Sequence, residues 1–222
     1  MKGTPDVPAI PAKQPEHQIV YQRLREMILC GELEPGQAVT IQGLIGTLGA
    51  GMTPVREAIR RLTSEGALEF QGNRRVSVPV LTLPQLDELA FARLALEPQL
   101  AFWGAEKVST EQIARLTEID NEVNRAIARG DVKAYLTKNH QFHAELYAAS
   151  GATIMISIAD TLWLRMGPSL RVMCGRFGTS NLPDMHEDAL SALRDGDAAR
   201  VRDAIHADIA QGFDQIRASL SS

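Results

Sequence analysis

The sequence predicts a mainly α-helical protein in two parts, a small N-terminal unit of helices with a β-hairpin and a larger bundle of helices. Three observations support this prediction. Before residue 66, apolar residues recur at helical spacing in short segments that glycines separate. Two short runs of alternating apolar and polar residues follow. From residue 81 onward, only helical periodicity is found. The length of 222 residues suits two small domains.

The first two helices are bounded by glycine. Apolar residues recur at a helical period over residues 18–30, and Gly31 stops that helix. A second short helix is predicted over residues 41–48 and leads through residues 49–51 to a third. Two helices joined by a short glycine-containing turn are typical of a helix-turn-helix, whose second helix reads DNA.

The third helix is the most informative segment of the chain. Thr53 is predicted to cap its N-terminus, because a threonine hydroxyl can accept an unpaired amide. Pro54 then occupies the first helical position, where no amide hydrogen is needed. Gly66 is predicted to end the helix in the left-handed conformation. The apolar side of the helix consists of Val55, Ile59 and Leu62.

The opposite side of this helix carries arginines. Arg56 and Arg60 are four residues apart and point away from the apolar stripe. Arg56 lies in the first turn, where side chains reach base edges, and arginine can bind guanine O6 and N7 in the major groove. The segment therefore predicts a helix that enters DNA, rather than a solvated helix of an ordinary domain.

A basic hairpin is predicted directly after the third helix. Short runs at residues 68–70 and 76–78 flank a Gly-Asn turn. Arg74 and Arg75 fall near its tip, where they would approach the minor groove or phosphates. The order of elements predicts a winged helix-turn-helix DNA-binding domain over residues 17–80.

The net charge of −4 is unevenly distributed. Residues 1–80 contain nine Lys/Arg and eight Asp/Glu, whereas residues 81–222 contain fourteen and nineteen. The positive charge of the first part is concentrated in its third helix and hairpin. Phosphate contacts depend on such local clusters, and an acidic second part disfavours nonspecific binding to DNA.

The composition excludes several classes of protein. Apolar residues make up 45% of the chain, enough for a core, and no apolar run is long enough to span a bilayer. The polar, proline-rich residues 1–16 do not resemble a secretion signal and are predicted to be a flexible arm. Cys30 and Cys174 suit neither a disulfide framework nor a metal-type spacing. We therefore expect a cytoplasmic protein without a membrane partner.

The second part is predicted to be an antiparallel bundle of six helices over residues 81–222. A long helix begins at Thr82 or Pro84 and is bent at Pro98, and Ser109 opens a capping box for the next helix. No strand pattern follows residue 80. The remaining helices are predicted over residues 131–149, 153–173 and 183–194 (beginning at Pro183), with a last helix that follows Gly196-Asp197 and runs up to residue 220.

Polar residues at helical spacing mark the interior of this bundle. Asn139 and His143 are four residues apart and face one side of their helix, and His186 lies near the start of the next-to-last helix. The residues alone leave two interpretations open, a metal site and a set of hydrogen-bonded core residues without a metal.

Two sets of short motifs resemble a known family. The N-terminal set comprises residues 33–36 (LEPG), 53–58 (TPVREA), 61–62 (RL) and 65–66 (EG). The C-terminal set comprises residues 93–98 (RLALEP), 139–143 (NHQFH), 150–151 (SG), 186 (H) and 196–197 (GD). The first set resembles the DNA-binding domain of the GntR family of bacterial transcription regulators. The second resembles the all-helical FCD effector domain of its FadR-type branch.

The resemblance implies roles in the DNA-binding domain. It makes Arg56 the base-reading arginine, and we expect Thr53 to contact a phosphate and Arg60 to lie against the DNA backbone. The family usually carries Ser-Arg just before the threonine, whereas this chain has Gly51 and Met52. An arginine that contacts DNA is therefore missing, and we expect a different operator or weaker binding.

The resemblance also implies a metal site. In that family an aspartate and three histidines bind a divalent metal, and the corresponding positions here are Asn139, His143, His186 and Asp208. Two histidines and one carboxylate still suit zinc, nickel, manganese or iron. Asn139 can offer only a carbonyl oxygen. His206 is turned about 200° around its helix from Asp208 and is not expected to be a ligand.

The effectors of such domains are small carboxylates, sugar acids or fatty acyl derivatives. Arg93 is predicted either to form a helix ion pair with Glu97 or to point into the bundle beside the ligand. Arg165 and Arg171 either clamp an anion or lie on the surface. The resemblance implies a homodimer on a near-palindromic operator, and a repressor that a small organic acid effector releases.

Two other classes of protein share some of these sequence features. A metal-dependent hydrolase or oxygenase could use histidines and carboxylates in a helical bundle, but a paired general base and a nucleophile motif are missing. An interaction module that has lost DNA binding is conceivable from Gly51 and Met52, and the retained Arg56 argues against it. We therefore predict a DNA-binding regulator and no enzymatic activity.

Overall fold

The computed structural model describes residues 15–72, 75–177 and 184–220, and within them helices dominate. The predicted mainly α-helical fold is confirmed, with a winged helix-turn-helix followed by a helical bundle. The N-terminal elements are α1 (Glu16–Leu29), β1 (Ala38–Val39), α2 (Ile41–Leu48), α3 (Met52–Ser64), β2 (Glu69–Gln71) and β3 (Arg75–Ser77). The bundle consists of α4 (Leu83–Ala105), α5 (Thr110–Arg129), α6 (Val132–Ser150), α7 (Thr153–Phe177), α8 (Met185–Asp195) and α9 (Ala198–Leu220).

The turn between α2 and α3 is built by local chemistry. Thr40 caps α2, since its side chain accepts the amide of Gly43 at 3.0 Å. Gly49 ends α2 with φ of 61°, a conformation that costs glycine little. The apolar sides of α1 and α3 meet in a shared core that includes Leu24, Ile28 and Leu62, all fully buried. This packing holds α3 at the surface of the domain.

The start of α3 differs from the prediction. The N-cap is Gly51, not Thr53, and Thr53 lies inside the first turn without capping the helix. The extended backbone of Gly51 provides the cap, and its amide binds the Glu16 carboxylate at 3.3 Å. Pro54 is consequently the third helical residue, a position whose amide has no partner within the helix. Gly66, with φ of 74°, ends the segment as predicted.

The wing is a small antiparallel sheet in the order β1-β3-β2 among the described residues. The predicted hairpin is confirmed, with Gln71 opposite Arg75 and Glu69 opposite Ser77. The sequence prediction missed β1, whose two residues offer too short a run for an alternating pattern. Arg74 and the turn beside it lie outside the described residues.

The bundle helices begin at polar caps. Thr82 with Gln85 and Ser109 with Gln112 form the capping boxes of α4 and α5. Asp184 caps α8, which begins at Met185, while the predicted start at Pro183 lies outside the described residues. Helix α7 extends to residue 177, beyond the predicted end at residue 173. Of the predicted arm, residues 1–14 lie outside the described part, and residue 16 already belongs to α1.

Helix α4 is the central element of the bundle. It packs against α6, α7 and α9. The approach to α6 is close, because a Cβ on Gly104 would overlap the backbone oxygen of Leu146. Its inward side chains include Arg93 and Glu97, both fully buried. Buried charges are costly unless they are paired, so these two residues mark the centre of the bundle as a site to inspect.

Candidate functional site

The exposed face of α3 carries the predicted DNA-contacting residues. Thr53, Arg56 and Arg60 are all exposed on the described surface. The third arginine of the helix, Arg61, instead pairs with Glu65 at 3.0 Å. Its guanidinium carbon lies 3.7 Å from the centre of the ring of Tyr21 on α1. Arg61 therefore helps to hold α3 on α1, while Arg56 and Arg60 face outward.

The wing contributes one described arginine. Arg75 is exposed at the start of β3, where it lies opposite Gln71 of β2 in the hairpin. Its predicted neighbour, Arg74, is outside the described residues. The structure thus places Arg75 on the same domain as the arginines of α3, as a basic hairpin predicts.

A second polar site lies inside the bundle. His143 of α6, His186 of α8 and Asp208 of α9 each present one possible ligand atom, and these atoms lie within 4.8 Å of one another. The His143 Nε2 atom is 3.1 Å from Asp208 Oδ2 and 3.4 Å from His186 Nε2. His206 is exposed, as the helical register predicts. Three residues far apart in sequence thus converge on one point.

Hydrogen bonds orient both imidazole rings. The His186 Nδ1 atom lies 3.0 Å from Asp120 Oδ1, and a carboxylate can only accept there. Tyr147 donates its hydroxyl hydrogen to Glu97 at 2.8 Å, so its oxygen accepts from His143 Nδ1 at 3.1 Å. Both rings therefore carry their proton on Nδ1 and turn Nε2 towards the point of convergence. Outer partners of this kind are typical of histidines that bind metals.

The electrostatics of the cluster favour a cation at its centre. Burial lowers the pKa of His143 and keeps that ring neutral. Burial also acts to lower the pKa of His186, but the Asp120 hydrogen bond and the charge of Asp208 outweigh it and raise that pKa. For Asp208, burial acts to raise the pKa, but the contact with the His143 ring and the charge of Arg93 outweigh burial and lower it. The lowered pKa of Asp208 keeps its side chain an anionic carboxylate, which attracts a cation to the cluster.

The donor set fits a divalent metal. Two imidazole nitrogens and one carboxylate oxygen point at each other, and such lone pairs repel unless a cation lies among them. His143, His186 and Asp208 would be the ligands, and Asn139, one turn before His143, is buried next to them. This set suits zinc, nickel, manganese or iron, which accept imidazole and carboxylate together.

A buried polar network adjoins the cluster. Arg93 binds Glu97 through two nitrogens, Nε and Nη2, the latter at 2.9 Å. Glu97 also accepts the indole hydrogen of Trp163 at 3.0 Å and the hydroxyl hydrogen of Tyr147. Among the described residues, the third nitrogen of Arg93 donates only to the sulfur of Met166, at 2.8 Å, and a thioether is a weak acceptor. Both sequence alternatives for Arg93 therefore hold at once, an ion pair with Glu97 and an inward position.

A small internal cavity lies beside the network. Its volume is about 40 Å³, enough for one or two water molecules. A larger ligand would have to move the side chains that surround it. The polar and aromatic residues of its wall include Arg93, Tyr135, Asn139, Trp163 and Asp208.

Sequence analysis missed several residues of this site. Tyr147 follows His143 by one helical turn, a spacing that could have indicated a partner on the same face. Trp163 lies on an apolar helix and carries no polar sequence signal, yet its indole donates to Glu97. Asp120 carries no local signal, because its contact with His186 joins α5 to α8.

The buried ion pair provides a stability prediction. Replacing Glu97 by leucine leaves Arg93 charged and unpaired in the core, which should cost about 3–5 kcal/mol. Glu118→Leu is the matched control, because Glu118 pairs with Arg125 at 2.8 Å on the surface, where an ion pair contributes little to stability. Urea unfolding measures both free energies. Equal losses would contradict a structural role of the buried pair.

Arg165 and Arg171 are not part of the bundle site. Arg165 is exposed, and its Nε atom donates to the backbone oxygen of Glu65 at the end of α3. Arg171 packs against Gly31, at the end of α1. These two arginines do not form the anion clamp that was one of the two predicted alternatives, because both point from α7 towards the N-terminal domain. Their helix presents a different face to the cavity.

Together, a helix-turn-helix with an exposed arginine face and a helical domain with a buried polar pocket define a DNA-binding regulator. Comparison with known families agrees. Residues 17–78 match the family of bacterial regulatory proteins named gntR, and residues 88–211 match the FCD domain. The chain belongs to the GntR family of transcription regulators and carries an FCD domain.

Individual relatives support this assignment. The chain is 30% identical to the HTH-type transcriptional regulator McbR of Escherichia coli over 178 residues, 79% of this chain and 80% of McbR. It is 26% identical to the HTH-type transcriptional repressor RspR of Escherichia coli, over 92% of this chain and 91% of RspR. The structure of McbR/YncC from E. coli superposes with a TM-score of 0.86 at 27% identity, covering 92% and 98% of the two chains. The prediction of a regulator rather than an enzyme is confirmed.

A solved GntR regulator from Rhodococcus sp. RHA1 supports the fold. Its TM-score is 0.75 at 20% identity, and the match covers 91% of this chain and 97% of that one. None of the helices in the described part of the chain is long and apolar enough to cross a bilayer.

Proposed function

We propose that this regulator represses its target genes by binding a DNA operator, and that a small carboxylate bound in the FCD bundle releases it. The observation that carries the ligand part is the convergence of His143, His186 and Asp208 beside the incompletely bound Arg93. The name of the relative RspR, a repressor, supports the sign of regulation.

We assign the reading of bases to Arg56 and phosphate contacts to Thr53 and Arg60. Their exposure on α3 supports this assignment, because a recognition helix uses its outer face in the major groove. Arg75, and Arg74 by its position in the sequence, are assigned to the DNA flanking the site. The retention of these arginines favours DNA binding over a pure interaction module.

The effector site combines a cation and an arginine. A divalent metal held by His143, His186 and Asp208 would supply open coordination positions for a carboxylate. Arg93 offers the same ligand a guanidinium nitrogen that now contacts only Met166. Because the cavity is small, we expect a compact organic acid such as a short hydroxy acid, and not a fatty acyl chain.

We further propose that the active form is a homodimer. A near-palindromic operator requires two recognition helices related by a two-fold axis. Large apolar side chains are exposed on α4 and α7, where Phe91 and Ile154 are 76% and 78% exposed. We propose that the second subunit covers them in the dimer. Light scattering coupled to size exclusion measures the mass in solution directly.

In vitro selection from random duplex DNA tests the proposal. We expect enrichment of a short two-fold sequence, whose binding weakens when small hydroxy acids are added to metal-loaded protein. Selection without any enriched sequence would contradict the operator. An enriched operator that no organic acid affects, in the presence or absence of zinc, would contradict the effector.

A further inference from the structure

Helix α7 contacts the buried pocket with its inner face. Trp163 donates to Glu97, and the guanidinium carbon of Arg93 lies 4.0 Å from the centre of the Trp163 ring. Met166, one turn further on, accepts from Arg93. Both α7 side chains line the small cavity. Any ligand that competes for Arg93 must therefore disturb α7.

The outer face of the same helix contacts the DNA-binding domain. A Cβ on Gly167 would lie 2.8 Å from the backbone oxygen of Leu29 and 3.1 Å from that of Ile28, so the backbones of α7 and α1 touch. Two residues earlier, Arg165 donates to the oxygen of Glu65 at 3.1 Å. Successive helical residues are rotated by about 100°, which places Met166 and Gly167 on different faces.

Helices α1 and α3 are held together by a hydrogen bond and a shared core. Tyr21 of α1 donates its hydroxyl hydrogen to the carboxylate of Glu65, 2.9 Å from its nearer oxygen. The two helices also share the core around Leu24 and Leu62. A displacement at the end of α1 therefore reaches the recognition helix without an intervening loop.

Open clefts border the packing of α7 on α1. A cleft of about 580 Å³ lies on one side, between the wing, α4 and α7. A second cleft, of about 380 Å³, lies between α1, α2 and α6. Asp160 of α7 also pairs with Arg25 of α1 at 3.4 Å, so the contact between the two helices involves side chains as well as backbone.

We propose that α7 couples the pocket to the recognition helix. This inference rests on the proposed function, since a carboxylate in the bundle is its trigger. A carboxylate that binds the guanidinium of Arg93 displaces Met166 and Trp163, and the resulting shift of α7 opens the contact between Gly167 and α1. The orientation of the DNA-binding domain then depends on the occupancy of the pocket.

A double-mutant cycle on operator affinity tests this coupling without any effector. Trp163→Phe removes the donor to Glu97 on the inner face, and Gly167→Ala forces α1 away on the outer face. We expect Trp163→Phe to change operator affinity about tenfold, within the usual range of allosteric coupling. In the Gly167→Ala protein the same change should have no effect, because the contact is already open. Ser157→Ala, exposed on α7, is the control.

Two results would overturn the coupling. Trp163→Phe could leave operator affinity unchanged, or it could change it equally in both backgrounds. If Gly167→Ala does not fold, Arg165→Ala replaces it, because this exposed side chain contacts the end of α3 through its bond to Glu65 and its packing on Gly66. A Zn²⁺ titration of the wild type, followed by mass spectrometry, separately tests the metal site. Failure to bind Zn²⁺ would refute the proposed site, while the cycle still decides the coupling in metal-free protein.

Discussion

Replacing Arg56 by alanine should reduce affinity for the selected operator by about 10- to 100-fold. This range corresponds to the 1–3 kcal/mol typical of one bidentate arginine–guanine contact. Arg56 is exposed in the first turn of α3, so its removal should leave the fold intact. Fluorescence anisotropy with the operator and with a scrambled duplex measures both affinities. Specific binding should fall towards the nonspecific level.

Two variants control for charge and for position. Arg129→Ala removes an exposed arginine from α5, in the other domain, and should leave operator affinity unchanged. Arg60→Ala should weaken binding to both duplexes alike, because phosphate contacts carry no sequence information. Wild-type specificity in the Arg56→Ala protein would show that another residue reads the bases.

The second large effect concerns the metal. Protein purified without a histidine tag or chelator should contain about one divalent metal ion per subunit, and His143→Ala should lose it. His143 is the member of the cluster that contacts both of the others, at 3.1 Å and 3.4 Å. Elemental analysis by mass spectrometry gives the content and the identity of the metal. Thermal unfolding with and without the metal shows whether binding stabilises the fold.

The helix that carries Asp208 offers a matched control. His206→Ala removes an exposed imidazole two residues away and should keep the metal. Asp208→Asn should lose most of it, and Asp120→Asn should weaken metal affinity by about 10- to 100-fold through the orientation of His186. An absence of metal in the wild type would mean that the cluster is a set of hydrogen-bonded core residues without a metal. The search for ligands would then turn to Arg93.

Much of the DNA-binding domain was predictable because its signals are local. The α2 helix was predicted at its observed bounds, and Gly66 ends α3 in the left-handed conformation, as expected. The predicted cap of α3 was wrong by two residues, since Gly51 and Thr53, on either side of Met52, offer alternative caps. The choice of Gly51 depends on its contact with Glu16 of α1, which lies far away in sequence.

The bundle site was predictable in part. The family resemblance grouped His143, His186 and Asp208, whose ligand atoms do converge, and helical register excluded His206. Helical register could not indicate which side chains of the other helices face these residues. Asp120 behind His186 and the sulfur of Met166 next to Arg93 come from other helices.

The sequence by itself, with the family resemblance of its motifs, determined the class of protein, the order of its elements, the arginine face of α3 and the three residues that converge in the bundle, His143, His186 and Asp208. Only the tertiary structure decided that Arg93 is buried in an ion pair, and that Arg165 and Arg171 face the DNA-binding domain. The physical reason is that periodicity shows which side chains share a face of a helix. What that face meets depends on how distant helices pack, and here α7 meets the pocket on one face and α1 on the other.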